Sequence, residues 1–233
     1  MITFSIITIF PDIFNTFLKY GIVNRAIKKK IIDINILNLR DYSDNQRKRI
    51  DDQIYGGGAG MLIMFLPLFK AVNRAKKNKK KSIVIYLSPQ GKVLKHQYIQ
   101  YFIKKKNLIF ICGRYKGIDE RFIQTQVDEE WSIGDYILTG GELAAMVFIE
   151  TITRFIPGAL NNKQSLFEES FSHGLLDCPN YTRPKKIHNY TVPSTLLSGN
   201  HNEIKKWRLK HAIKNTLLKK PHMIKNIKRD TKI

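Results

Sequence analysis

Cysteine is almost missing from this 233-residue chain: Cys112 and Cys178 are the only two. Two thiols build neither a disulfide framework nor a four-cysteine zinc site. The six histidines show no HExxH or comparable metal spacing. No apolar run approaches the roughly 18–20 residues that a membrane-spanning helix requires. The opening segment MITFSIITIFPDIF has no cationic flank ahead of its apolar run and no small-residue cleavage site, so it does not read as a signal peptide. Acids are scarce too, with 19 Asp and Glu against 40 Lys and Arg, a formal charge of +21. These absences lead to the expectation of a soluble protein in a reducing compartment, the cytoplasm, with a polyanionic partner.

The chain is 43% hydrophobic and 11% aromatic, too apolar for a disordered basic tail. Its length allows one or two compact domains. Of the 40 bases 29 are Lys, and a lysine-rich composition scattered over solvated faces competes with any binding explanation. Distribution favours binding. Between Gln53 and Ile118 there are 14 bases and no acid, and from Cys178 onward 14 bases meet only Glu203 and Asp230. Several arginines, among them Arg114, Arg154, Arg183 and Arg208, sit beside loops or turns, where the planar guanidinium suits phosphate and carbonyl groups. Nucleic acid is the expected partner.

Periodicity predicts a strand at Ile2–Phe10, helices at Ile13–Lys19 and Ile22–Lys29, and a strand at Ile31–Leu39. A polar stretch then runs into the glycine loop 56–60. Beyond it come a helix at Leu66–Lys77, a strand at Ser82–Leu87, a helix at His96–Lys104 and a strand at Asn107–Cys112. A short helix near Asp119–Thr125, a strand at Val127–Trp131, a loop at 133–141 and an apolar helix at Glu142–Phe155 complete this part. Such alternation implies an α/β fold on a parallel sheet with helices on both faces. Texture then changes. We expect an α/β domain at 1–160, a linker at 161–172, and a small basic domain at 173–233 with an amphipathic helix near Glu203–Leu218 and a short helix after Pro221.

The glycine loop GGGAGM (56–61) is not GxGxxG, and Gly91-Lys92-Val93 fails the P-loop pattern. More informative are SPQG (88–91), GRYKGID (113–119) and IGDYILTGGE (133–142), each following a predicted strand. Loops at the carboxyl ends of parallel strands converge on one crevice. Three glycine- or proline-bearing loops there suit a compact, neutral-plus-polar ligand such as adenosine, held by backbone groups, although tight turns also select Gly and Pro. Nine of the 19 acids cluster at 51–52, 119–120, 128–130 and 168–169. Most read as solvated or paired with arginines such as Arg114 and Arg121. Glu168-Glu169 differs, sitting beside a basic region where a carboxylate near Arg154 is able to act as a base. Neither cysteine has a histidine placed by sequence to activate it.

Seven strings carry a family resemblance: YGGGAGM (55–61), YLSPQGK (86–92), CGRYKGIDER (112–121), EEWSIGDYILTGGELAAM (129–146), RFIPGAL (154–160), GLLDCPNYTRP (174–184) and LLSGNHNEIKKWRLK (196–210). Together they closely resemble the bacterial tRNA (guanine-N1)-methyltransferases of the SPOUT superfamily, collinearly from Ile2 to about Lys220. The resemblance implies a parallel sheet with a deep trefoil knot, roughly within Ser82 to Gly141, and a small helical C-terminal domain. It implies methyl transfer from S-adenosylmethionine to N1 of the guanine at position 37 of tRNA, by a homodimer with a composite site. Members of the family use magnesium, for which no dedicated ligand set is visible here.

Carried over position by position, the adenosyl pocket comprises Tyr86, Leu87, Ser88, Pro89, Gln90, Gly91, Gly113, Tyr115, Ile133, Gly134, Asp135, Tyr136, Ile137, Leu138, Gly140 and Gly141. Arg154 and Glu169 fall on the catalytic positions. Ser170, Arg183, Lys185, Lys205, Lys206 and Arg208 fall on the tRNA side. Departures from the family pattern are Glu169 for its aspartate, Lys116 for the glutamate of Tyr-Glu-Gly, Asn180 for the histidine of Cys-Pro-His, and Ala59 and Ala144 for prolines. They leave a second reading open, an RNA-binding relative that has lost catalysis. An α/β enzyme acting on another nucleotide is a third, weakened by the missing phosphate-loop patterns.

Overall fold

The structure, a computed structural model, describes residues 1–77, 79, 81–160, 166 and 168–224. Two compact units divide the chain, Met1–Asn161 and Asn162–Ile233. The interdomain linker expected at 161–172 falls partly outside the described residues, as do the last nine residues of the basic C-terminal region.

In the first unit a five-stranded parallel sheet is built from β1 (Ile2–Thr8), β2 (Ile32–Asn38), β5 (Ser82–Val93), β6 (Asn107–Cys112) and β7 (Glu129–Ser132), in the order β2-β1-β6-β5-β7. Side chains alternate across a strand, so successive residues serve opposite faces. Phe4, Ile6, Leu108 and Phe110 enter one core with α1 (Phe14–Lys19), α2 (Gly21–Lys28), α4 (Ile99–Ile103) and α6 (Glu142–Phe155). Ile7, Ile109 and Ile111 enter the other, with α3 (Phe65–Lys76) and α5 (Glu120–Gln126). Helices therefore cover both faces, and β1 and β6 are mostly apolar because nearly all of their residues are buried.

α6 carries Glu142 in its first turn and Arg154 in its last, both favourable to the helix dipole. It stops at Ile156, which Pro157 holds extended. An aromatic cluster anchors it: the Phe148 ring lies 5.5 Å from Phe102 and 5.6 Å from Phe110.

Several elements differ from the sequence expectation. The strand expected to end at Leu87 continues to Val93 as β5, and Ser88–Gly91 is an irregularity within it rather than a separate turn. Both Leu87 and Lys92 pair with Trp131, so the intervening residues leave the ladder, which accommodates a proline without a donor. The glycine loop is bracketed by an unexpected antiparallel pair, β3 (Asp51–Gln53) and β4 (Met61–Ile63). His96–Lys104 divides into a 3-10 turn at His96–Tyr98 and α4.

The second unit holds a two-stranded ribbon of β8 (Lys186–Ile187) and β9 (Tyr190–Thr191), a short helix α7 (Ser194–Leu197) and a long helix α8 (His201–Lys219). The Asn200 side chain caps α8 by accepting from the Asn202 and Glu203 amides, which starts the helix two residues before the sequence expectation. α8 is less one-sided than expected of an amphipathic helix: Leu209, Leu217 and Leu218 are exposed. Its inner row includes Thr216, whose hydroxyl accepts from the Leu176 amide at 2.9 Å.

Truncating Phe148 to Ala removes the shared member of the aromatic cluster and is expected to cost about 3–5 kcal/mol, read from urea unfolding followed through Trp131 fluorescence. A loss below about 1 kcal/mol contradicts this account of the core.

Candidate active site

A cavity of about 310 Å³ opens at the carboxyl ends of β5, β6 and β7. This is the crevice position used by open parallel α/β sheets, and the volume lies at the lower end of the range for small-molecule sites. Its lining is 86–89, 113–117, 131–134, 136–141 and Ala144.

Of the residues expected to hold the adenosyl group, Tyr86, Leu87, Ser88, Pro89, Gly113, Tyr115, Ile133, Gly134, Tyr136, Ile137, Leu138, Gly140 and Gly141 all line this one cavity. Gln90, Gly91 and Asp135 do not. Gly91 plays a different part, because a Cβ there would stand 2.6 Å from Trp131 Cα, so its lack of a side chain lets β5 and β7 approach. Gly141 resembles it, since a Cβ would come within 2.8 Å of Cys112 Cα, and its amide donates to the Gly113 carbonyl at 3.0 Å. Burial pushes the Tyr86 phenol up to about 12, so it stays protonated at the cavity wall. Gly113 packs against that ring, leaving no room for a Cβ.

Sequence reasoning missed the pair that ties these loops to the sheet. Glu142, 1% exposed, accepts from the Thr8 hydroxyl at 2.8 Å and from Arg114 Nε at 3.1 Å. The Arg114 guanidinium also lies over the Phe10 ring, 4.7 Å from its centre. Thr8 ends β1, Arg114 follows β6, and Glu142 opens α6, so one carboxylate joins three elements. Arg114 and Gly140 form a backbone bridge beneath the ion pair. The sequence offered Arg114 nearer acids at 119–130, whereas Asp119 pairs with Arg121 at 2.6 Å.

The expected catalytic residues lie in different units. Arg154 is half-buried in the last turn of α6. Burial raises the Glu150 carboxyl above its ordinary value, and the Arg154 cation one turn away draws it back. Glu169 is half-buried in the second unit, where its carbonyl accepts from the Ser172 amide. Ser170 Oγ accepts from the Asp177 amide at 2.9 Å, which fixes the chain just after Glu169. Arg183, Lys185 and Arg208 line a separate cavity of about 410 Å³ with Tyr181 and Asn180. Lys205 is exposed on α8, and Lys206 pairs with Glu203 at 3.0 Å.

Cys112 is fully buried, and desolvation pushes its thiol well above the ordinary range, with Glu142 adding to the shift. Cys178 is raised by burial and then by Asp177. Neither is poised as a nucleophile. Among the described residues, no group of three or more His, Cys, Asp or Glu is placed to hold a metal ion.

Glu142→Ala leaves a half-buried guanidinium without its partner and is expected to cost about 3 kcal/mol in urea unfolding, against about 1 kcal/mol for Thr8→Val. Equal small losses contradict a central role for the carboxylate.

The family model described as tRNA (Guanine-1)-methyltransferase TrmD matches residues 2–226. The tRNA (guanine-N(1)-)-methyltransferase of Buchnera aphidicola subsp. Acyrthosiphon pisum (strain APS) is 58% identical over 226 residues, 97% of this chain and 95% of that protein. Its counterpart from the Schizaphis graminum subspecies (strain Sg) is 56% identical, covering 100% of this chain and 90% of that protein. That of Shewanella sediminis (strain HAW-EB3) is 48% identical, covering 96% and 93%. With similarity running through both units, the chain belongs to the tRNA (guanine-1)-methyltransferase family, TrmD.

Proposed function

We propose that this protein transfers a methyl group from S-adenosylmethionine to N1 of the guanine at position 37 of tRNA, in the cytoplasm and as a homodimer. The observation that carries the reading is the single cavity in which most of the expected adenosyl residues meet, within a chain of this family. The residues present fit such a ligand. Leu87, Ile133, Leu138 and Ala144 offer apolar walls, while the glycine-rich segments bring backbone donors and acceptors to the surface. A trefoil knot within 82–141 belongs to the same proposal. The close backbone approaches at Gly91 and Gly141 support a chain threaded through its own loops. The described acids and histidines do not form a dedicated magnesium site, and no step is assigned to that ion.

S-adenosylmethionine supplies an electrophilic methyl on a sulfonium, so no protein nucleophile is required. Guanine N1 carries a proton at neutral pH, and Glu169 removes it as general base. Negative charge grows on O6, where Arg154 receives it through a charge-assisted hydrogen bond. Methyl transfer then forms the N–CH3 bond, breaks the S–CH3 bond and leaves a neutral thioether. In this reading the linker and second unit of one protomer complete the site on the other. Glu169 is one methylene longer than the family's aspartate, and a misplacement of about 1 Å costs on the order of a hundredfold in rate. The Asp177–Ser170 hydrogen bond serves to hold that longer carboxylate's backbone in place. Arg183, Lys185 and Arg208, with Lys205 and Lys206 along α8, hold the anticodon arm by its phosphates.

In single-turnover assays with labelled S-adenosylmethionine and magnesium, label is expected on a tRNA transcript with guanine at 37 and not on its adenine-37 twin. Label on neither, with both ligands bound, contradicts the reading. Glu169→Gln is expected to lower turnover at least about a hundredfold with cofactor affinity unchanged. Normal turnover of that variant removes Glu169 from the role of base. Arg208→Ala is expected to weaken tRNA binding similarly for all sequences and to lower the salt slope by about one, measured by filter binding.

A further inference from the structure

Arg114 and Lys116 are the two fixed charges on the wall of the first unit's cavity, and both are cations. Arg114 is neutralised by Glu142. Lys116 is exposed, lines the cavity and has no ion pair with a described residue. Its place is set by backbone: the Lys116 amide donates to the Met61 carbonyl at 3.1 Å. The stem then runs along the glycine loop. A Cβ on Gly60 would lie 3.6 Å from Lys116 Cβ, and one on Gly58 would lie 3.8 Å from Nζ. Both glycines have positive φ, +112° and +100° at Gly58 and Gly60, so an ordinary residue is disfavoured there and the ammonium stays uncovered.

We propose that Lys116 anchors the carboxylate of the cofactor's amino-acid end, and that its charge makes the pocket favour the spent thioether over the sulfonium. This rests on the assignment of the cavity to S-adenosylmethionine. The adenosine end is neutral and suits the apolar, backbone-rich walls. The amino-acid end is a zwitterion, and a cation on the wall selects its carboxylate. The sulfonium is an extra positive charge in the same small volume, repelled by Lys116. Transfer of the methyl removes that charge, so S-adenosylhomocysteine escapes the repulsion and keeps the carboxylate contact. The consequence is a product that competes a few-fold better with fresh cofactor, in a chain where the family pattern has an acid at this position.

Calorimetric titration of the full-length protein tests this without turnover. Three ligands are compared: S-adenosylmethionine, S-adenosylhomocysteine, and methylthioadenosine, which lacks the amino-acid end. Lys116→Ala is expected to weaken S-adenosylhomocysteine about two- to fivefold, the scale of an exposed ion pair, and to leave methylthioadenosine unchanged. Lys116→Arg is expected to retain the wild-type affinity. In Lys116→Ala the preference for thioether over sulfonium shrinks, and 0.5 M salt erases most of the difference between wild type and variant, since about that concentration screens charges beyond a few ångströms. Unchanged S-adenosylhomocysteine affinity in Lys116→Ala overturns the inference, as does an equal loss for methylthioadenosine. A loss confined to tRNA overturns it too, moving Lys116 to an RNA phosphate. Wild-type protein that binds none of the three overturns the functional reading and this inference with it.

Discussion

A carboxylate buried without partners is expensive, and Glu142 is almost wholly buried, so the elements that supply its donors are constrained to meet. Thr8 brings the end of β1, and Arg114 brings the first residues beyond β6. Because Glu142 also begins α6, the ion pair sets the position of the helix whose last turn holds Arg154. Beneath it, Arg114 pairs through its backbone with Gly140, which closes loop 133–141 onto loop 113–117. The cavity is the space these two loops leave against β5. Its shape depends on one buried charge and on glycines at two close backbone approaches.

Charge is divided differently in the two units. In the first, several acids are committed: Glu142 to Arg114, Asp119 to Arg121, Glu129 to Trp131 Nε1 and the Tyr101 hydroxyl. The charged side chains in the cavity lining are Arg114, which Glu142 neutralises, and Lys116. In the second, Arg183, Lys185 and Arg208 gather round one cavity without an acid in its lining. An acid-free, basic lining of this kind has the chemistry that suits phosphate groups, as the proposed tRNA contact requires. The +21 charge of the chain is thus concentrated at particular places, even though much of its lysine is scattered over solvated faces.

What the sequence made legible follows the strength of local signals. β6 and α6 were readable to the residue, because a β-branched apolar run and a long apolar helix closed by Pro157 have few alternatives. The convergence of 86–89, 113–117 and 133–141 was readable from strand–loop order. The continuation of β5 through Pro89 and Gly91 was not: both residues signal a turn, and only the partner strand β7 shows that the chain resumes pairing at Lys92. β3 and β4 have three residues each, too few to carry a period. Arg114 and Glu142 are 28 residues apart, and no local pattern announces such a pair. For Arg154 and Glu169 the sequence supplied roles through family likeness rather than through their surroundings.

The three loops form one cradle tied to the sheet through Glu142, and in the proposed function they hold the cofactor together. Hydrogen–deuterium exchange of the full-length protein, with and without S-adenosylhomocysteine, tests it most directly. The account predicts slower exchange at 86–91, 113–117 and 133–141 together, with little change across β1 and β2. Protection confined to one of these loops, or appearing only outside them, would contradict it.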